Sequence, residues 1–487
     1  MRFRSSRGRW VLTTTVLGSG IAFLDSTVVN VALPSIGRDF HVTMAALQWT
    51  VTAYTLTLSA FLLLGGSLGD RYGRRRVFVV GLVWFTVASA VCGIAPSAPF
   101  LIVARALQGV GGALLTPSSL AIIDATFDER DRGAAIGAWA GLGGVFGAMG
   151  PLLGGILVSA VTWRLVFFIN VPLALLAVLV AIRHVPESRG PRTVGRLDVG
   201  GALLAAAGLA AVTFGLIQGP GDGWSSPGIV GTLCAGAALL SLFFLYEKRK
   251  PDPMLPLDVF RSRQFSGANG ATFVIYAALG SVSFLLVVYL QLVLHYSPLA
   301  AGSSMLPVTA MLFLFSSYSG RMAGRIGPRL PMSVGPLVAA AGMALLMRAT
   351  PGESYATTVL PGALIFGLGL VLIVPALTST ALGALSQERA GIASAINNDI
   401  ARVGSLSAVA LIPAIAGIST ATTGVNAALF TNGFRTGIAI SAVLCALGGV
   451  VAFLTVRNRP AREASAQAMP LGPVRCEPAT ARSGGGS

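Results

Sequence analysis

Four charged residues interrupt stretches that are otherwise apolar: Asp25, Arg105, Asp399 and Arg402. An isolated charge at the centre of a lipid-embedded helix costs about 3 kcal/mol or more, so each needs a partner or a wet cavity. A carboxylate in such a place takes up and releases a proton as its burial and partners change. Asp25 lies about eight residues from the outer end of its apolar run and Arg105 about six from the end of its own, roughly 12 Å and 9 Å deep at 1.5 Å per residue. Opposite charges at similar depth suit proton binding at Asp25 with Arg105 tuning its affinity, or a static ion pair locking two helices together. Asp399 and Arg402 are three residues apart and share one helix face. There Asp399 is expected to neutralise a cationic ligand, to carry a second proton, or simply to be satisfied by Arg402. A third group comprises Asp70 and Arg74, four residues apart, with Asp124 at the inner end of a later apolar run.

Other chemistries find no support. No Gly-x-x-x-x-Gly-Lys-Ser/Thr phosphate loop is present, and His41, His184 and His295 form no metal array. Cys92, Cys234, Cys445 and Cys476 are scattered, without disulfide or zinc spacing. No nucleophile–base constellation is seen. Neither enzymatic activity, nor a metal, nor a cofactor is expected. The net charge of +16 could suggest nucleic acid, but the basic residues sit in short loops between apolar runs, not in aromatic-interleaved patches. Nucleic acid is therefore not an expected partner.

The elements that must position these charges are membrane helices. The chain has 487 residues, 54% hydrophobic and 11% charged, with a mean hydropathy of +0.78. That excludes a soluble globular domain. Runs long enough to span a bilayer predict an all-α protein with fourteen transmembrane helices over 10–33, 46–68, 77–95, 99–124, 133–158, 163–183, 197–217, 228–246, 266–293, 299–320, 330–349, 355–384, 390–418 and 434–456. The basic first nine residues precede a run too long for a signal peptide and are read with it as a retained first helix. With this topology, 28 Lys and Arg fall on the side of the termini and 4 on the other. The positive-inside rule then puts both termini in the cytoplasm. Residues 457–487 form a cytoplasmic tail closing in a linker-like Ser-Gly-Gly-Gly-Ser.

The chain also repeats itself. Gly66, Arg71 and Gly73 match Gly320, Arg325 and Gly327 at an offset of 254 residues. Gly109, Gly111, Pro117 and Gly133 match Gly367, Gly369, Pro375 and Gly391 at an offset of 258. This predicts two six-helix bundles, 10–183 and 266–456, in parallel arrangement, with helices over 197–246 inserted between them. Parallel halves with a site at their interface are a recurring design for alternating access. One run carries Gly147, Gly150, Pro151, Gly154 and Gly155. Inside a helix each Gly costs about 1 kcal/mol against Ala, and Pro about 3. The run is therefore read as a kinked, closely packed helix in a moving bundle.

These residues resemble the major facilitator superfamily, and within it the fourteen-helix drug:proton antiporters, over about residues 10 to 457. Gly66-Ser-Leu-Gly-Asp70-Arg71-Tyr-Gly73-Arg74-Arg-Arg fits the superfamily loop motif. Leu101 to Ala113, with Arg105, Gln108 and Gly109, resembles its helix-4 motif. Gly147 to Gly155 is similar to the helix-5 motif of antiporters. Leu24 to Pro34, with Asp25 and Asn30, resembles the helix-1 motif of the fourteen-helix branch, as do Trp163-Arg164 and Ile169-Asn170-Val-Pro172. The resemblance implies the major facilitator fold. It also implies a proton-coupled antiporter that exports lipophilic, often cationic drugs or antibiotics, or else a dedicated exporter of one endogenous metabolite: an antibiotic, sugar, amino acid or lipid. It implies Asp25 and Arg105 as proton-coupling residues, joined by Asp399 and Arg402. Gly66, Asp70, Arg71, Gly73, Arg74 and Asp124 are implied as a latch between the halves. The second loop departs from this pattern, with Gly324 where the first has Asp70. Asn30, Trp49, Tyr54, Tyr289, Gln291, Asn397 and Asn398 are the candidates for an apolar cavity with a few polar anchors. The expected setting is the bacterial inner membrane, with protons, lipids and small lipophilic molecules as partners and a monomer as the working unit.

Overall fold

Among the described residues, fourteen helices are long and apolar enough to cross a membrane. They are α1 Ser6–Phe40, α2 Met44–Tyr72, α3 Arg74–Gly93, α4 Ala98–Thr126, α5 Asp131–Ala160, α6 Leu165–His184, α7 Val199–Asp222, α8 Pro227–Arg249, α9 Arg263–Leu292, α10 Pro298–Ile326, α11 Arg329–Leu346, α12 Tyr355–Gly383, α13 Gly391–Ile415 and α14 Ala427–Thr455. This computed structural model describes residues 2, 5–190, 197–386, 389–418 and 426–458. The expected tail over 457–487 therefore lies outside the described residues beyond Asn458. No strand occurs among the described residues.

The first helix differs from its hydropathy boundary. It runs through Pro34 to Phe40 and stops at His41, whose φ of 51° is left-handed and whose N–H binds the Gly37 carbonyl. Ser35, Arg38 and Asp39 end the apolar run, yet the backbone ladder continues past them into the interface. Asp25 consequently lies about fifteen residues from the helix end, roughly 22 Å at 1.5 Å per residue, rather than 12 Å.

The packing repeats. α1 lies against α4, α5 and α6, α2 against α4, and α3 against α4 and α6. Eight helices further on, α9 lies against α12, α13 and α14, α10 against α12, and α11 against α12 and α14. α7 and α8 pack on each other, and α7 also lies against both α2 and α13. There the Trp49 and Phe214 rings are 6.4 Å apart. Asp198 ties the far ends of this pair together. It accepts from Gly201 N at 2.8 Å, capping α7, and meets Lys250 Nζ at 2.7 Å.

The matching glycines of the two loops serve matching turns. Gly73 closes α2 at φ +113° and Gly327 closes α10 at φ +87°, conformations that favour glycine. Each turn is held by a side chain from beyond the last helix of its own set. Glu187 accepts from the N–H groups of Arg75 and Arg76 at 3.0 and 3.2 Å, and Asn458 accepts from Arg329 N at 3.1 Å. Both groups cap the exposed N–H ends of the next helix.

Candidate functional site

Asp25 and Arg105 meet. Both are buried, at 0% and 1% exposure, and Arg105 Nη1 donates to Asp25 Oδ2. Asp25 Oδ1 accepts from Gln108 Nε2 and from Asn170 Nδ2, each at 2.9 Å. Arg105 Nη1 also donates to Gln108 Oε1 at 2.7 Å, and its Nε to the Thr50 carbonyl at 3.1 Å. The guanidinium carbon lies 4.3 Å from the Tyr54 ring centre, and the Tyr54 hydroxyl donates to the Ala22 carbonyl at 3.3 Å. Asn170 Nδ2 donates again to Ser89 Oγ at 3.0 Å, and Ser89 to the Phe167 carbonyl at 2.8 Å. One charge pair thus joins five helices: α1, α2, α3, α4 and α6. Buried ionic groups hold only when their remaining hydrogen-bonding capacity is met, and this network largely meets it.

Asp399 and Arg402 share a face of α13, yet no ion pair forms between them among the described residues. Asp399 Oδ1 is buried without a closely aligned hydrogen-bond partner, and the Ser59 hydroxyl of the facing α2 stands beside the carboxylate. Arg402 stands within electrostatic reach of Tyr54, Tyr276 and Asp399. The arrangement leaves a carboxylate with one unpartnered oxygen and a nearby guanidinium between the two sets of six helices, at the seam of α2 and α13.

The hydrogen bonds that join the two sets cluster at one end. Gln48 Nε2 donates to the Val409 and Ala410 carbonyls at 2.7 and 3.3 Å, Gln291 Nε2 to the Val31 carbonyl at 3.0 Å, and Leu299 N to Ser159 Oγ at 3.1 Å. All lie towards the arginine-poor ends of their helices. The Gly147–Gly155 run sits at this closure. Gly150 abuts α1 so closely that an added Cβ would fall 1.9 Å from Thr27 Oγ1. Gly155 abuts α10, where an added Cβ would fall 2.8 Å from the Pro298 carbonyl oxygen. Thr27 Oγ1 also donates to the Gly147 carbonyl at 2.8 Å. Gly154 faces Val28, and the Pro151 carbonyl faces Gly302 of α10.

The remaining candidates divide. Arg74 donates to Asp70 Oδ1 at 2.8 Å and to the Ala121 carbonyl of α4 at 2.8 Å. Its guanidinium is therefore occupied, and Asp124 instead pairs with Arg132 at 3.2 Å, outside the expected constellation. Gly66 packs beside Pro117, and Arg71 is exposed near the Tyr72 ring. Tyr289 is no cavity residue: it is fully buried, stacks on Phe434 at 3.9 Å, and donates to the Ala349 carbonyl at 2.9 Å. Trp49 turns to α7, and Gln291 is committed to the closure. Asn397 bridges to α9 through Asn269 Oδ1 and Thr272 Oγ1 at 3.0 and 2.8 Å. Asn398 is exposed and folds back on the Ser394 carbonyl at 2.9 Å, while half-buried Asn30 keeps an unpartnered Oδ1. Sequence reasoning missed Asn170, Ser89, Gln48 and Glu187 as contributors. Gln108 was within reach, being three residues from Arg105 on the same helix face.

Fourteen spanning helices, twelve in two like-packed sets of six and two inserted between them, with a buried ion pair in one set and a second carboxylate and guanidinium at their seam, define a multi-pass membrane transporter. The chain belongs to the Major Facilitator Superfamily, whose model matches residues 15–408. It is 36% identical over 468 residues to the puromycin resistance protein pur8 of Streptomyces alboniger, covering 92% of each chain. It is 35% identical over 402 residues to a tetracenomycin C resistance and export protein of Streptomyces glaucescens, covering 82% of this chain and 74% of that one. It is also 35% identical over 395 residues to the multidrug resistance protein Stp of Mycobacterium tuberculosis, covering 81% of this chain and 73% of the relative. A bacterial homologue of the human lysosomal transporter Spinster shares the fold, with a TM-score of 0.64 at 17% identity over 93% of this chain and 97% of that one.

Proposed function

We propose that this protein is a proton-coupled antiporter that exports lipophilic, often cationic antibiotics or drugs from the cytoplasm. The observation that carries the reading is the buried Asp25 carboxylate, held by Arg105, Gln108 and Asn170 in the first set of helices. Such a group changes its proton occupancy when its partners move. In this reading the two sets, 10–183 and 266–456, rock about the seam. The arginine-rich ends face the cytoplasm, by the positive-inside rule, in the inner membrane of a bacterium. The bonds of Gln48, Gln291 and Leu299 then seal the outer side, and the state is inward-facing. Asp399, with its unpaired Oδ1, receives the cationic group of the substrate or a second proton, with Arg402 nearby. Asp70 and Arg74, here bonded within the first set to each other and to the Ala121 carbonyl, are the latch that engages the second set when the cytoplasmic side closes. Asn30 contributes to the cavity wall, whereas Tyr54 is packed inside the first set. Both sides of the seam come from one chain, which supports a monomer as the working unit.

Transport of a single endogenous antibiotic is the second reading, favoured by relatives named for resistance to individual compounds. The test is the pH gradient of energised inside-out vesicles on addition of ethidium. Wild type is expected to collapse it and Asp25→Asn to leave it intact. Equal collapse by both would move the carrier away from Asp25. No response from either would favour a dedicated exporter of another compound.

A further inference from the structure

We propose that Asn170 is the positioning residue that follows the proton on Asp25: when Oδ1 of Asp25 is protonated, the Asn170 amide turns over to accept its hydrogen bond, and the Ser89 hydroxyl turns with it. The proposal rests on the reading of Asp25 as the proton carrier.

The argument is one of donors and acceptors. An ionised carboxylate only accepts, and a carboxylic acid must also donate. Around Asp25 stand three donors: Arg105 Nη1 at Oδ2, and Gln108 Nε2 and Asn170 Nδ2 at Oδ1, each of the amides at 2.9 Å. A proton arriving on this carboxylate meets donors on every side, so one of them must become an acceptor. Arg105 has no acceptor to offer. Gln108 is pinned, because its Oε1 already accepts from Arg105 Nη1 at 2.7 Å and faces Cys92 Sγ at 3.6 Å. Turning it would set an NH2 group against the guanidinium, donor against donor.

Asn170 is free to turn. It is fully buried, and its Oδ1 has no partner. A half-turn of the amide brings Oδ1 to the place of Nδ2, within reach of Asp25 Oδ1 and of Ser89 Oγ, now at 2.9 and 3.0 Å from the nitrogen. Ser89 can follow, because a hydroxyl both donates and accepts. Its hydrogen leaves the Phe167 carbonyl, which it now binds at 2.8 Å, and goes to Asn170 Oδ1. The two bonds Asn170 donates become two that it accepts, one proton has been added, the Phe167 carbonyl gives up its side-chain donor, and Nδ2 takes the place of Oδ1, which has no side-chain partner. The other titratable groups about Asp25 are Arg105 on α4, Tyr54 on α2 and Cys92 on α3, and of these only Arg105, which has no acceptor to offer, is hydrogen-bonded to it. Tyr54 is engaged with the Ala22 carbonyl and Cys92 with Gln108. The Ser89–Phe167 bond is given up in this turn, while the Ser89–Asn170 bond keeps α3 joined to α6.

The experiment is acid-minus-neutral infrared difference spectroscopy of the full chain in liposomes. Wild type is expected to gain a carboxylic C=O band together with a downshift of one side-chain amide C=O. Loss of the carboxylic band in Asp25→Asn assigns it. Its persistence overturns the carrier reading, and this proposal with it. With the band assigned, Asn170→Leu is expected to abolish the amide shift and displace the carboxylic band, and Ser89→Ala to displace the band while keeping the amide shift. An unchanged amide shift in Asn170→Leu overturns the proposal alone. Substrate-driven proton movement is expected to fall at least tenfold in Asn170→Leu and to recover in part in Asn170→Thr, whose hydroxyl can also donate or accept. Equal loss in both variants, each folded by size-exclusion chromatography, counts against it. If Asn170→Leu does not fold, Asn170→Thr carries the spectroscopic test, and the amide shift must vanish there.

Discussion

The side-chain amide of Gln48 on α2 donates to the Val409 carbonyl on α13 at 2.7 Å, joining positions 361 residues apart in the chain. With the Gln291–Val31 bond at 3.0 Å it forms the closure between the two sets of helices. Both glutamines bind main-chain carbonyls, so neither bond specifies the identity of the residue across the seam.

Gln48→Ala is expected to weaken this closure. A buried carbonyl left without its partner costs about 1–3 kcal/mol, and about 1.4 kcal/mol is a tenfold change in a two-state population. Spin labels at Val161 and Leu299 on the arginine-poor ends should report a longer distance population that is rare in wild type. An unchanged distribution in Gln48→Ala and in the Gln48→Ala, Gln291→Ala double variant would leave the closure to packing alone.

Asp25→Asn should destabilise the protein as well as block coupling. Removing one partner of a buried ion pair costs about 3–5 kcal/mol, because the remaining charge is stranded. Thermal unfolding in detergent should show a clear drop for Asp25→Asn and a partial recovery when Arg105→Gln is added. A double variant no more stable than the single one would argue that the Thr50 and Tyr54 contacts alone satisfy Arg105.

Asp399→Asn separates two roles. If the carboxylate neutralises a cationic substrate, transport of cations should fall about tenfold or more while neutral compounds pass as before, the scale of a single lost charge-assisted bond of about 1.5–3 kcal/mol. Equal loss for cationic and neutral compounds would assign Asp399 to proton coupling instead.

The two capping side chains give a paired prediction. Asn458→Ala should cost about 0.5–2 kcal/mol by uncapping α11. Glu187→Gln should cost a comparable amount, about 0.5–2 kcal/mol, since it keeps one acceptor at the start of α3 but replaces the other, which binds Arg76 N or Arg75 N, with a donor and loses the charge. Chemical unfolding read by tryptophan fluorescence would rank them, and a larger loss for Glu187→Gln would show that its proximity to Arg75 and Arg76 matters more than the cap.

Much of this was legible in the sequence because hydropathy and chain length are local properties. The fourteen spans follow from them, and Asp25 and Arg105 could be paired from charge and depth alone. The depth itself was underestimated, since polar Ser35, Arg38 and Asp39 hid a helix that continues to Phe40. Contacts set by rotation about a helix axis were not legible. Asp124 looked like a neighbour of Asp70 and Arg74, but the Ala121 carbonyl takes the free edge of Arg74. Tyr289 carried the signature of a helix-end aromatic, yet its face turns inward to Phe430 and Phe434. Glu187 reaches the α3 terminus from 112 positions away, a relationship that no spacing rule encodes.

The inserted pair breaks the symmetry of the machine in one respect. Beside the α1–α9 junction, the two sets of helices meet along two equivalent flanking seams, α2 with α13 and α10 with α5, and α7 lies across the first of these. Along that seam α7 screens the flank of α2 and α13, with the Trp49–Phe214 contact near its arginine-poor end. The α5–α10 seam, packed tightly through Gly155 and Gly302, has no such covering helix among the described residues. The inserted pair thereby gives two distinct flanks to a scaffold whose two halves are otherwise alike.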